Sequence, residues 1–293
     1  MSIAKGPVAP GNAGSPACCR QEKGTGRRQI MLKVVDLYKS FGGIQALAGV
    51  SFTVKKQSIT GLIGPNGSGK STCFNVISGF YSKDGGEVYF EGQKIGNLKP
   101  FEIARGGIGR TFQIAEAPEK MTVVENLLLA PKDQTGEKIF NVFFKGTKIK
   151  QETGEFLKKI DEVLNLVQLN HLRNEYAGNL SGGQRKLLSL ARILLFDPDL
   201  ILLDEPTAGV NPTLINDLVE TIQRLRDERG KTILLVEHNM RVISRICDKV
   251  IVLDSGIKIA EGTPKEIQNN EKVLEAYLSG SSKKQLFHED TGS

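Results

Sequence analysis

Five short stretches of this 293-residue chain hold residue types suited to phosphate chemistry. The first, Gly64-Pro65-Asn66-Gly67-Ser68-Gly69-Lys70-Ser71, fits the spacing G-x-x-x-x-G-K-[ST]. Its glycines let backbone N–H groups turn inward around phosphate oxygens. A helix expected to run from Thr72 to Ser78 adds the positive end of its dipole. Lys70 is then expected to reach the β- and γ-phosphates of a nucleotide, and the Ser71 hydroxyl to ligate Mg²⁺. In the second stretch, Asp204 can hold the metal through water while Glu205 orients or deprotonates the attacking water. The third is His238, placed to donate a hydrogen bond to the γ-phosphate. Gln113, after Thr111-Phe112, has a side-chain oxygen to offer Mg²⁺, although a glutamine alone in a loop carries little weight.

The phosphate loop by itself leaves kinase, GTPase, helicase and transporter ATPase open. The fifth stretch, Leu180-Ser181-Gly182-Gly183-Gln184, decides among them. Its glycines offer another set of backbone donors at the start of a helix expected over Arg185 to Leu195. One chain therefore carries two separate phosphate-facing surfaces.

The elements that must position these residues alternate between strand and helix. Ile59–Ile63, Leu200–Leu203 and Thr232–Val236 are continuous apolar runs, each ending at one of the chemical stretches. Runs apolar on both faces suit buried parallel strands covered by helices. Leu214, Ile215, Leu218, Val219, Ile222 and Leu225 recur at helical spacing, with Pro212 near the start, where its missing N–H costs little. Glu87–Phe90 after Gly85-Gly86, and Lys249–Ala260 turning at Ser255-Gly256, read as hairpin-like pieces. Residues 114–190 read as mostly helical and polar, a separate lobe. The fold class is α/β: a P-loop core with a mostly parallel sheet, an antiparallel β subdomain and a helical subdomain.

Residues 1–29 are rich in Gly, Pro, Ala and Ser without apolar period and read as a disordered tail, with residues 281–293 a flexible one. Most of the formal +6 charge resides in that first segment, where five basic residues face Glu22 alone. With no Trp and 6% aromatics, the rest presents no electrostatic footprint for nucleic acid, and none is expected as a partner. No run approaches the roughly 20 apolar residues of a membrane-spanning helix. The four cysteines, Cys18, Cys19, Cys73 and Cys247, show neither zinc nor disulfide patterning, which suits a cytosolic setting.

From about residue 30 to 280 the chain resembles the ATP-binding cassette (ABC) family, in which the same motifs stand in this order. Phe41 occupies the position of an aromatic that stacks on adenine, followed by Gly64–Thr72, Gln113, Ser181–Gln184, Asp204-Glu205 and His238. The resemblance implies a dimer of cassettes, homo- or heteromeric, paired head to tail. The Ser181–Gln184 surface of one then completes the ATP site of the other, with Lys70, Glu205 and His238 as its catalytic groups. It further implies ATP and Mg²⁺ as cofactors and transmembrane permease subunits as partners. The place implied is peripheral, on the cytoplasmic side of the inner membrane.

Within the family, Gly109–Gln113, Glu125–Leu128, an insertion around Phe140 to Lys159, Glu237–Met240 and the stretch from Glu261 to Leu278 look like the ATPases of bacterial branched-chain amino-acid importers. That implies import of hydrophobic amino acids, with an extracytoplasmic solute-binding protein in the complex. Lipopolysaccharide-export and urea-import ATPases share part of this pattern, so an exporter subunit is the alternative. A soluble cassette acting on DNA or ribosomes is the remote one, since the chain has neither a second cassette nor a coiled-coil insertion. Two positions depart from the family. Asn211 stands where most cassettes carry Asp, keeping an acceptor without the charge. Gln57 stands where glycine commonly leads into the strand before the phosphate loop.

Overall fold

The computed structural model describes residues 29–111, 117–130 and 146–279. The expectations for the two tails, for Phe112 and Gln113, and for residues 140–145 of the Phe140–Lys159 insertion fall outside them. The described residues form two sheets. One is antiparallel in the order β2-β1-β4-β5, with β1 at Ile30–Phe41, β2 at Ile44–Lys55, β4 at Gly85–Phe90 and β5 at Gln93–Lys94. The other has the order β10-β9-β3-β8-β7-β6. Here β3 is Ile59–Ile63, β6 Ile108–Arg110, β7 Leu200–Asp204, β8 Thr232–Val236, β9 Lys249–Asp254 and β10 Ile257–Gly262. Within this second sheet every pairing but β9–β10 is parallel. The apolar runs over β3, β7 and β8 are buried at every residue, as strands covered on both faces must be.

Because side chains alternate across a strand, each run feeds two cores. Leu62, Leu202, Leu234 and Val236 pack toward the antiparallel sheet and helix α1 (Lys70–Ile77), with Phe74 and Ile77 fully buried between them. Ile63, Ile201, Leu203, Ile233 and Leu235 pack on the opposite side with helix α6 (Pro212–Asp227) and helix α7 (Met240–Ile246). The same cluster takes in α3 (Val123–Leu128), α4 (Gly146–Leu166) and α5 (Gly182–Leu194). The helical lobe and the sheet thus share one apolar core. Helix α2 (Pro100–Arg105) precedes β6, and α8 (Pro264–Gln268) and α9 (Glu271–Ser279) follow β10.

The second hairpin-like piece turns at Ser255 and Gly256, both at positive φ. The first differs in detail: β4 pairs with β1 across the sheet as well as with the short β5. Gln57 adopts φ 52° with its N–H donated to Thr232 Oγ1 at 3.0 Å, so the left-handed turn that glycine commonly supplies is made here by glutamine.

Candidate nucleotide site

Strands β3, β8 and β7 lie side by side and parallel, so their carboxyl ends bring residues 64–71, 237–238 and 204–205 to one edge of the sheet. That edge is where open α/β sheets hold ligands. The loop after β3 is tightly built. Gly64 has φ 151°, and a Cβ there would sit 2.0 Å from the Leu253 carbonyl oxygen. Gly69, the N-cap of α1 at φ 99°, would drive a Cβ to 2.5 Å from the Ala46 oxygen. Only glycine fits either place. Gly67, at φ 81°, has open space around it. Ser68 is buried, accepts the Gly256 N–H at 3.2 Å and so ties the loop to the β9–β10 turn. Pro65 is half-buried and Asn66 exposed, while Ser71 and Thr72 open the first turn of α1, Ser71 exposed and Thr72 half-buried.

Lys70 is 6% exposed, and its Nζ donates to the Gly64 oxygen at 2.9 Å and the Pro65 oxygen at 2.8 Å. Burial pulls its pKa down, while the carboxylates of Glu205 and Asp204 pull it up. The ammonium is thus held by carbonyls that a phosphate oxygen can replace.

Asp204, 7% exposed at the end of β7, accepts from Arg110 Nη2 at 3.1 Å. Burial raises its pKa and the Arg110 guanidinium opposes the rise. Arg110 also donates to Asn75 Oδ1 and Ser78 Oγ, both at 2.7 Å, and lies over the rings of Phe74 and Phe80. Glu205 sits at φ 46°, and its Oε1 is 2.9 Å from His238 Nε2. Its own N–H reaches the Val236 oxygen at 3.0 Å, and Lys186 of α5 donates to its carbonyl at 2.7 Å. Glu237 is buried and accepts from Thr207, His238 and Asn239.

On the helical lobe, Ser181 caps α5. Its hydroxyl accepts the Gln184 N–H at 3.3 Å while the Gln184 side chain accepts the Ser181 N–H at 2.9 Å. The two glycines between them differ. Gly182 is exposed, and a Cβ there would meet only the Gly209 oxygen at 3.7 Å, whereas a Cβ on Gly183 would lie 2.9 Å from both Val210 Cγ1 and Leu214 Cδ1. Phe41, at the end of β1, is 43% exposed and meets Tyr81 edge to face at 5.1 Å. Asn211 caps α6 by accepting the Thr213 N–H at 3.0 Å, so the missing Asp charge leaves the cap intact.

The structure thus brings Gly64–Thr72, Asp204, Glu205 and His238 together. Ser181–Gln184 is presented separately on α5, and Gln113 lies outside the described residues. Sequence reading gave no role to Arg110, Lys186 or Glu237. An acid directly after an all-apolar strand was the one available signal for Glu237, but its partner Thr207 is 30 residues away. Among the described residues no three His, Cys, Asp or Glu side chains gather as a metal cage. A hydroxyl and a carboxylate, hard oxygen donors, are what the site offers a divalent ion alongside substrate phosphates.

This arrangement defines a phosphate-loop ATPase with a capped second loop on a helical lobe. Comparison with known proteins gives the same result: the pattern of the ABC transporter family matches residues 47–208, and the chain belongs to that family. A second pattern, described as branched-chain amino acid ATP-binding cassette transporter, matches residues 258–278. The chain is 46% identical over 248 residues to a probable branched-chain amino acid transport ATP-binding protein, LivG, of Archaeoglobus fulgidus, covering 85% of this chain and 95% of that one. It is 38% identical, over 85% of this chain and 97% of the other, to the high-affinity branched-chain amino acid transport ATP-binding protein BraF of Pseudomonas aeruginosa. Among solved structures, the ADP conformation of an ATP-binding cassette of an ABC transporter superposes with a TM-score of 0.74 at 39% identity, over 85% of this chain and 99% of that one. A dimeric bacterial ABC transporter cassette does so with a TM-score of 0.65 at 27% identity, over 80% and 99%. The protein is the ATP-binding, ATP-hydrolysing subunit of an ABC transporter. No described helix is long and apolar enough to cross a membrane.

Proposed function

We propose that this subunit energises import of branched-chain amino acids from the cytoplasmic face of the membrane. It would work as one of two cassettes, in a homo- or heterodimer, beneath permease subunits that a solute-binding protein loads. What carries the substrate class is the match over residues 258–278, a segment outside the ATPase motifs. It favours this reading over export of lipopolysaccharide or another cargo.

In the proposed reaction, ATP lies with its adenine against Phe41 and its phosphates in the Gly64–Thr72 loop. Lys70 exchanges its bonds to the Gly64 and Pro65 carbonyls for β- and γ-phosphate oxygens. Ser71 and Asp204 would hold Mg²⁺, which when bound neutralises charge on the phosphates. Gln113 joins them on the strength of its motif alone. Glu205 accepts a proton from the attacking water, and His238, 2.9 Å from that carboxylate, orients it and donates to the γ-phosphate. Ser181–Gln184 of the second cassette closes the site from outside. Closure on ATP and reopening after hydrolysis drive the permease.

The chain with Glu205→Gln is expected to bind ATP yet hydrolyse it about 100-fold more slowly or worse. It should accumulate as a closed ATP-bound dimer in size-exclusion chromatography with Mg²⁺. A monomer under those conditions would refute the closing step. For the substrate, leucine uptake should disappear from cells carrying only that variant. Uptake unchanged while another solute's transport is lost would overturn the amino-acid assignment and leave the ATPase standing.

A further inference from the structure

Glu205 adopts φ 46°, a left-handed conformation that non-glycine residues hold only when their surroundings over-determine it. Three ties do so here. The Glu205 N–H is taken by the Val236 carbonyl at 3.0 Å, its C=O by Lys186 Nζ at 2.7 Å, and the turn that follows by Glu237. Glu237 is 3% exposed and accepts four hydrogen bonds. Its Oε1 takes the Thr207 N–H at 2.9 Å and the Thr207 hydroxyl. Its Oε2 takes the N–H groups of His238 at 2.8 Å and Asn239 at 3.1 Å.

One carboxylate thus grips the turn after Glu205 with one oxygen and the backbone of His238 with the other. Lys186 adds a second tie, donating to the Ala208 carbonyl at 2.6 Å as well as to Glu205. Because Lys186 stands two residues beyond Gln184, that tie runs from the helix whose capped start faces outward.

We propose that Glu237 is a positioning residue for hydrolysis, setting the Glu205–His238 pair by holding the turn after Glu205 at Thr207 and the backbone of His238, with Lys186 anchoring the same turn to α5. The inference rests on the catalytic roles proposed above for Glu205 and His238. Glutamine at 237 keeps the shape but has a single acceptor oxygen. Its NH₂ would face either the two Thr207 donors or the two N–H groups at 238 and 239, and one side of the grip opens. Displacement of a reacting group by an ångström can cost on the order of 10²-fold in rate.

The test is steady-state ATPase kinetics on the transporter complex purified through this chain, alone and in double variants. Glu237→Gln is expected to lower kcat roughly 10- to 100-fold with KM for MgATP within about threefold. Added to His238→Ala it should cost at most about twofold more, because the pair it sets is already gone. Glu237→Asp, which keeps the charge, should recover part of the rate. A kcat within twofold of wild type, or full multiplication with His238→Ala, would overturn the proposal. If Glu237→Gln fails to fold, Thr207→Val, which removes one donor and spares the N–H, should lower kcat about threefold at constant KM, and no change would count equally against it. Glu205→Gln is the control: if that variant hydrolyses ATP normally, the reading of the site fails. If it is inactive and Glu237→Gln is not, only this inference fails.

Discussion

The two phosphate-facing loops of this chain are built on opposite plans. Gly64–Ser71 is enclosed by its own molecule: Leu253, Ala46 and Gly256 press on it from outside, and Lys70 is buried against its carbonyls. Ser181–Gln184 is backed only at Gly183, by Val210 and Leu214, while Ser181 and Gly182 are exposed and the cap bonds close on their own helix end. A loop that grips phosphate must be shaped before the ligand arrives, so tertiary contacts hold glycines at φ values other residues avoid. On the proposed reading, the second loop closes on a site in another molecule and has to stay open on that side, so there only its local cap is made.

Thiol reactivity separates the two loops most strongly. Cys73, one turn into α1 and fully buried, has its pKa pushed up to about 12 by desolvation. At pH 8 only about 10⁻⁴ of it is thiolate, so alkylation should run roughly 10³-fold slower than at an ordinary thiol. A cysteine introduced by Ser181→Cys should react at the ordinary rate and become protected when ATP closes the dimer. Site-resolved mass spectrometry after maleimide labelling reads both, and equal rates would erase the contrast.

Lys70→Ala comes next, with ATPase activity expected to fall by about 100-fold or more because no other buried cation faces the phosphates from this loop. Unchanged turnover would remove the loop from the site.

The neighbouring glycines of the second loop give the smallest and most discriminating effect. Gly183→Ala must displace Val210 and Leu214, an overpacking cost partly offset by better helix propensity, for a net loss of about 1 kcal/mol in thermal or urea unfolding. Gly182→Ala meets only the Gly209 oxygen, at an ordinary contact distance of 3.7 Å, and should leave stability within about 0.5 kcal/mol. It should instead weaken ATP-driven dimerisation severalfold, as read by light scattering. If both act on stability alike, the second loop is as enclosed as the first.

Much of the site was legible in sequence because its parts are local. The strand-then-glycine pattern of residues 59–71 states its own geometry, and β7 and β8 announce themselves as apolar runs ending in Asp204-Glu205 and near His238. Ser181–Gln184 reads as the start of a helix expected from Arg185, although the helix begins at Gly182 and Ser181 and Gln184 cap it. That β3, β7 and β8 are parallel follows from runs apolar on both faces, although which strand neighbours which does not. What stayed illegible is what spans the chain. Arg110 and Asp204 are 94 residues apart, and nothing in the run Gly109–Gln113 says that its arginine will pair with the acid of β7. Gly183 reads as a phosphate-loop glycine, yet its lack of a side chain also answers to packing against Val210 and Leu214, on the far side of β7 in sequence.

Chemistry by residue type and short spacing was therefore set by the sequence itself: a phosphate loop, a pair of acids, a histidine and a capped helix start, each made from neighbours whose backbone geometry depends on their own side chains. The tertiary structure alone decided which of these groups act on one another. It put His238 Nε2 at 2.9 Å from Glu205, held Glu205 at a positive φ between Val236 and Lys186, and turned Glu237 inward to grip Thr207 and the backbone of His238. Those contacts depend on strand order and helix packing, which are settled by burying apolar surface across the whole chain, a sum no single motif contains.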